Sequence, residues 1–499
     1  MSDVHRHARR SALLAAAIVI GLFAVAAIGV ALSGRQREQA AFDQDRFHLR
    51  AIERFAGQCP WFDFRDYESA TTPAYHVVLA AVKAATGGGT GMLRVAGAAF
   101  TCALLGLLAW WVARQLSAAT HPLHPRELLP RRAPEAMSAG ALQPLVVLAA
   151  VALVLPFAAS VYVFSPGVWL LPDNAAWLGV LGVLLIALRR EHSAWSIAAG
   201  GLLLVLVVLT RQVHIWSAAA LVAGAFWAWP RFDAHDGSPW AGGRGAGRLE
   251  RLGILPPAEE RSAAWARAAA GALACLPAAV VLGAFVLLWG GLTPPAFQPR
   301  GSTLTNADYT NVAGISPATP ALILALIGIF GAFFLGLLRP ALRRDAWIAP
   351  ALIGAAIAFV LAIIPDTSYS FRPPGLADMS RMSGLWNLVK WFEDQSQQYW
   401  TRSPAIIVPA MFGGALLGVF WSALARRDAL ILGTALLAFV AAHTAGALSW
   451  QRYFEPFVLM LLILASARVV GRTHPPRWAW FGPVLLSIGQ SAVTLSQMR

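Results

Sequence analysis

The sequence predicts an all-α, polytopic membrane protein. Of its 499 residues 58% are hydrophobic and only 13% are charged, whereas a soluble domain carries about 25% charged residues. Apolar Leu/Ala/Val/Gly runs recur along the chain, at the roughly 17–25 residues that a helix needs to cross a hydrocarbon core. Pairs of arginines stand between these runs, at intervals that put them on one side of a membrane. In lipid every backbone polar group must be satisfied within the segment, so such runs are helices. The alternating segments of about ten residues that mark a membrane β-barrel are not seen.

The elements follow in order. The basic start MSDVHRHARR precedes an apolar run from Ser11 to Ser33. That run exceeds a signal-peptide core and reads as an uncleaved anchor with its N-terminus inside. Residues 34–90 form the first external loop, and the short apolar stretch within it, 72–86, reads as an interfacial helix. Spans are expected at 92–112, 141–163, 175–188, 194–209, 213–229, 264–290, 318–338, 346–364, 404–424, 428–449 and 455–470, with a weaker one at 478–494. The whole chain is then a single transmembrane domain, 1–499, of about twelve or thirteen helices. This threading places the Arg pairs at 131–132, 189–190, 343–344 and 426–427 inside, and counting 72–86 as a full span would move several of them out. The Gly-, Pro- and Arg-rich stretch 230–263 reads as a flexible cytoplasmic loop.

The net charge of +14 is what inside loops rich in arginine produce, so no nucleic-acid partner is expected. Cys59, Cys102 and Cys275 imply neither a disulfide framework nor a zinc site.

Charges left outside by this topology need another reason. The loop stretch DQDRFHLRAIERFAGQCPWFDFRDYESATTPAYH, Asp43 to His76, places Asp43, Asp45, His48, Asp63 and Asp66 among aromatics and arginines. Arg94, Arg211, Arg300, Arg372, Arg381, Arg402 and Arg452 share that face with Asp173, Asp308, Asp366 and Glu455. Charges at span ends are costly and tend to be functional. Carboxylates with guanidiniums on one face suit an anionic, lipid-linked substrate, since Arg grips phosphate in bidentate fashion and a carboxylate can deprotonate a hydroxyl. Each residue also has a plainer use. Asp173 can cap a helix, Arg211 can snorkel to the interface, and His48, His76 and His214 can be hydrogen-bonded structural residues.

Several pieces together resemble the GT-C glycosyltransferases, multi-span enzymes that take sugar from a polyprenyl phosphate, and most closely the dolichyl-phosphate-glucose α-1,2-glucosyltransferase family. Gln44, Asp45, Arg46, Phe47 and His48 occupy that family's D-E-x-F-H element. Trp61, Asp63 or Asp66, Thr71, Thr72 and Pro73 match its W-D-x-x-I-T-T-x-P element, and Gly91, Met92, Leu93 and Arg94 its G-M-L-R element. LLPDNAA, with Asp173, is similar to its Y-Y-T-D-x-x-S turn. Arg211, Gln212, Val213, His214, Ile215 and Trp216 are similar to R-Q-T-N-I-x-W, and Arg452, Tyr453, Phe454 and Pro456 match R-Y-F-x-x-P. Gln44 stands where the family has an acid, and the family's G-D-x-S-x-H loop is replaced by WGGLTPPAFQPRGSTLTNADYTN.

The resemblance implies a GT-C fold and a hexosyltransferase. It would use a polyprenyl-phosphate sugar donor and a lipid-linked or cell-envelope acceptor. Asp45 would be the general base. Asp43, His48, Asp63, Asp66, Arg94, Asp173, Arg211, Gln212, His214, Arg372, Arg452 and Tyr453 would bind substrate. No cofactor is demanded, although the acids are a candidate set for Mg²⁺ or Mn²⁺. The expected location is a bacterial inner membrane, with the site on the periplasmic face. A transporter or flippase of lipid-linked sugars would also need many spans and buried charge, but the chain shows no clear internal repeat. A non-catalytic scaffold would leave the external charges without a purpose.

Overall fold

A computed structural model describes residues 3–33, 38–119, 139–228, 255–256, 258–297, 314–343, 345–370, 384–395, 401–446, 448–473 and 475–498. Among these residues the chain is predominantly helical and forms no β-strand. Eight helices are long and apolar enough to cross a membrane, or nine if a bent pair counts as one span. The chain is thus a polytopic all-α membrane protein.

The first helix, α1 (Asp3–Leu32), already begins within the basic start. The stretch expected as the first external loop is itself helical. It holds α2 (Glu38–Asp43), a π-helical turn (Gln44–His48), α3 (Leu49–Gln58) and α4 (Ala74–Thr86). The last of these is a short apolar helix at the place of the expected interfacial one, 72–86; it ends on Gly87, whose φ of 65° accepts the left-handed cap and whose N–H donates to the Lys83 carbonyl.

The bundle follows with α5 (Thr90–Ala119), α6 (Ala139–Ala159), α7 (Val161–Val168), α8 (Asp173–Ala187), α9 (Ala194–Thr210) and α10 (Ala218–Phe226). It continues through α11 (Ala258–Trp289), α12 (Thr319–Gly331), α13 (Leu335–Leu342), α14 (Ile348–Ile363), α15 (Leu385–Gln395), α16 (Pro404–Ala423), α17 (Arg426–Thr444), α18 (Gln451–Val470) and α19 (Phe481–Gln497).

Three features differ from the sequence reading. The expected span 141–163 breaks at Ser160 and turns by 74° into α7, every residue of which is buried. Ser160 causes the break: its backbone is extended and its hydroxyl accepts the Tyr162 N–H, starting a new helix. The expected spans at 175–188, 194–209 and 213–229 are short helices; at about 1.5 Å per residue, the 15 residues of α8 reach only part of the way across a bilayer. The stretch expected to be a loop around 366–402 contains the amphipathic helix α15. Most of the stretch 230–263 lies outside the described residues, and α11 already begins at Ala258.

The centre of the bundle is α18, whose apolar window is 89% buried, against 17% for the helix region Asp345–Ile363. Lipid-facing leucines such as Leu287 and Leu352 are accordingly exposed on outer helices. At one end of the bundle the buried Arg427 closes the carbonyl end of α8. Its Nη2 donates to the Ala187 carbonyl at 3.1 Å, Nη1 to Leu188 at 3.3 Å and Nε to Trp227 at 3.0 Å, and it also bonds the Arg189 carbonyl. Arg468 joins it, with 2.6 Å to the Leu188 carbonyl and 3.5 Å to Asp428. One arginine of the pair at 426–427, expected to mark the inside face, is therefore a buried helix cap.

Backbones meet where α16 crosses α12 and α14. A Cβ on Gly413 would run into the Leu324 carbonyl, and one on Gly418 into the Pro350 carbonyl. Small residues at such crossings let helices pack without a hydrophobic drive from water. Replacing either by Val is expected to destabilise the protein by about 1–3 kcal/mol, read as a lower Tm in detergent. Gly283→Ala, where an added Cβ meets nothing within 4 Å, should leave Tm unchanged or slightly raised.

Candidate functional site

The outer loop is pinned to the helix ends by its own polar and aromatic residues. Phe55, Phe62, Phe64, Tyr67 and Trp289 pack together, and the Trp289 indole N–H donates to the Phe64 carbonyl at 2.8 Å. Asp66 accepts the Ala296 N–H at 2.8 Å. Thr72 donates its hydroxyl to the Val208 carbonyl at 2.5 Å, and its N–H goes to Gln212 Oε1 at 3.2 Å. The Gln212 amide also donates to the Ala70 carbonyl at 2.8 Å and the Leu292 carbonyl at 2.9 Å. The TTP segment and Gln212 thus fasten the loop to α9 and to the end of α11.

This fastening brings α2 and the π-turn over the N-terminal ends of α8 and α18 and the C-terminal end of α9. Asp43 is buried and pairs with Arg452 at 2.9 Å, joining residues 409 apart in sequence. Asp173 pairs with Arg211. Asp173 is the first residue of α8, after Pro172 at the N-cap; its charge favours the helix N-terminus and meets the guanidinium that follows α9. Both guanidiniums lie within 5.0 Å of the Tyr453 ring, and Arg452 also bonds the Tyr453 hydroxyl at 3.0 Å.

His48 stacks on His76, with Nδ1 3.0 Å from His76 Nε2. Burial pushes His48 down to about 4, opposed by the nearby Asp43 and Asp173 carboxylates and reinforced by Arg211 and Arg452. Burial likewise holds His76 well below its usual range, with His48 adding to the effect. Both rings are neutral at pH 7.

Of the residues singled out in the sequence, Asp43, His48, Asp173, Arg211, Arg452 and Tyr453 converge here. Arg94 reaches the same place through Gln44, whose Oε1 accepts the Arg94 Nε–H at 2.9 Å and the Leu170 N–H at 3.3 Å. Asp45 is exposed on the π-turn and, among the described residues, accepts one hydrogen bond, from Gln44 at 2.7 Å. Asp63 sits apart from the cluster and pairs with Arg65 of its own loop at 3.0 Å, which lowers its pKa. Asp66 and Gln212 brace the loop, as described above. His214 is buried with its ring 4.4 Å from that of Trp177. Arg372 lies outside the described residues.

Sequence reasoning took Gln44 only as a departure from an acidic position; it is the 1%-exposed link between Arg94 and Asp45. Its place between two aspartates was the available signal. Buried donors without a hydrogen-bond partner also gather nearby: Arg452 Nε, Trp169 Nε1 and the Tyr75 hydroxyl. Such groups are rare and call for a ligand or water. Arg94 lies over the Trp169 ring, and Tyr75 packs edge-on to His76. Among the described residues no group of three or more His, Cys, Asp and Glu side chains is placed to hold a metal ion.

The arrangement offers two carboxylate–guanidinium pairs, a neutral imidazole pair and orphan donors at one end of an apolar bundle. Breaking a buried ion pair costs about 3–5 kcal/mol. The Arg452 side chain is 29% exposed, so Asp43→Asn and Arg452→Gln are each expected to cost a smaller ~1–3 kcal/mol. In a double-mutant cycle the pair should show coupling above about 0.5 kcal/mol, read by denaturation in detergent.

The histidines also predict acid sensitivity. Their folded pKa values lie below the unfolded value of about 6.5, so the unfolded chain binds more protons between pH 6.5 and about 4. The stability this contributes is complete above pH 6.5 and is lost as pH falls through 4. A His48→Gln/His76→Gln variant should show a shallower fall of Tm over that window than the parent.

No protein-family model, no curated protein and no solved structure matches the chain.

Proposed function

We propose that this protein is a GT-C-type membrane glycosyltransferase that moves a hexose from a polyprenyl-phosphate donor to a lipid-linked or cell-envelope acceptor. The observation that carries this reading is the meeting of Asp43–Arg452 and Asp173–Arg211 beside His48, with the buried Arg452 Nε lacking a hydrogen-bond partner. An apolar bundle suits a prenyl chain, and guanidiniums at its outer end suit the phosphate.

In this mechanism Asp45 is the general base. Asp43 and Asp173 are committed to arginines, whereas Asp45 is exposed and bonded only by Gln44 among the described residues. Asp45 takes the acceptor hydroxyl proton as that oxygen attacks the anomeric carbon. The anomeric C–O bond to phosphate breaks, its electron pair leaves with the polyprenyl phosphate, and one-step displacement inverts the configuration. Arg452 and Arg211 stabilise the growing phosphate charge, with Arg372 a further candidate. His48 and Asp173 position the donor. The site faces the periplasm of a bacterial inner membrane.

A second reading, a flippase of lipid-linked sugars, is favoured by the 74° break at Ser160 inside the bundle.

The test is sugar transfer by the purified chain in nanodiscs, with and without Mg²⁺, from a panel of radiolabelled polyprenyl-phosphate sugars to a membrane-lipid extract. Asp45→Asn should cut kcat by roughly 10²-fold or more while donor binding is kept. Arg452→Gln should weaken both. Full transfer by Asp45→Asn would remove Asp45 as the base. Donor translocation in vesicles without transfer would favour the flippase.

A further inference from the structure

The end of the bundle opposite this cluster carries a groove that the proposed reaction does not use. It has a volume of about 410 Å³ and lies between α12–α13 and the start of α19. Phe333, Leu335, Leu342, Trp478 and Phe481 line it, with Arg339 at the rim. A smaller hollow of about 150 Å³ adjoins it, lined by Arg339, Pro340, Arg343 and Pro476. Arg339 is common to both.

The groove has a cause in the sequence. A Cβ on Gly482 would strike the Phe333 carbonyl, and one on Gly336 would crowd Ala479. These glycines let the two segments touch by their backbones. Flanking aromatic side chains then stand out on either side, and Trp478 and Phe481 are 50% and 67% exposed. Arg339 lies over the Trp478 ring at 5.3 Å, a cation–π contact that holds the guanidinium at the rim. Arg339 and Arg343 are exposed, and neither makes an ion pair or hydrogen bond with a described residue. Asp345, exposed just beyond them, pairs with neither.

We propose that this is a binding site for an anionic phospholipid. One acyl chain lies in the apolar groove, and the phosphate sits in the adjoining hollow on Arg339 and Arg343. A groove open along exposed aromatic residues is entered from lipid, and guanidiniums bind phosphate oxygens in pairs. Basic pockets between membrane helices are a known setting for acidic head groups. The charge of the rim selects the occupant: a zwitterionic lipid of equal chain length presents the same phosphate but adds an ammonium group, which the two guanidiniums repel.

The experiment uses the full chain in neutral detergent, titrated with phosphatidylglycerol or with phosphatidylcholine of the same acyl chains. Bound lipid is counted by native mass spectrometry. The parent should bind phosphatidylglycerol about tenfold more tightly, a difference worth about 1.4 kcal/mol. That preference should shrink between about 0.05 M and about 0.5 M salt. Arg339→Gln/Arg343→Gln, at exposed positions, should lose the preference with an unchanged size-exclusion profile. Ala332→Trp, which fills the groove from its lining, should reduce the binding of both lipids. Equal binding of the two lipids by the parent, a preference that survives in the double arginine variant, or undiminished binding by Ala332→Trp would overturn the proposal.

Discussion

The outer end of the molecule depends on one requirement: a charge at the edge of a hydrocarbon layer must be met by an opposite charge. Asp43 lies in the first external loop and Arg452 at the start of the central helix α18, and their 2.9 Å contact closes the chain from its beginning to near its end. Asp173 and Arg211 repeat the device between α8 and α9. Neither pair joins neighbours on one helix, so each holds only if several elements are already in place. The polar site and the tertiary fold are in this sense the same structure. An unpaired charge there would cost about 1–3 kcal/mol, which makes this end cooperative with the bundle beneath it.

The opposite end solves a different problem with the same residue type. Short helices leave free carbonyls inside the protein, and Arg427 and Arg468 satisfy those at the end of α8. Because α8 and α9 are short, the ends that carry Asp173 and Arg211 are packed over by other elements of the protein. That is why Asp173 and Arg211, which terminate them, meet in a partly buried setting. Helix length, set by the Pro172–Asp173 start and the Thr210–Arg211 stop, thereby fixes where the charges sit.

Much of this was legible in the sequence. Apolar run length was enough for the helical membrane class, since lipid leaves the backbone few alternatives. The membership of the charged cluster was legible only as a list of residues on one face. Which acid pairs with which arginine was not, because Asp43–Arg452 is a contact across 409 positions and nothing local encodes it. The break at Ser160 was hidden within a continuous apolar run, because a single capping serine carries too little signal against its neighbours. Helix α15 was missed because its polar face made the segment resemble a loop; its apolar face, with Trp386 and Val389 fully buried, was the signal. Gln44 was discounted on chemistry, as a neutral residue at an acidic position, yet an amide can both donate and accept and so bridges Arg94 and Asp45.

The central claim is that the cluster at the outer end receives a polyprenyl-phosphate sugar. It is tested most directly by photo-cross-linking the purified chain to a benzophenone-bearing polyprenyl-phosphate sugar and mapping the adducts by peptide mass spectrometry. The account predicts adducts on peptides containing Gln44–His48 and Arg452–Tyr453, suppressed by unlabelled donor and lost in Arg452→Gln. Adducts confined to lipid-facing helices such as α14, with no competition by donor, would contradict it.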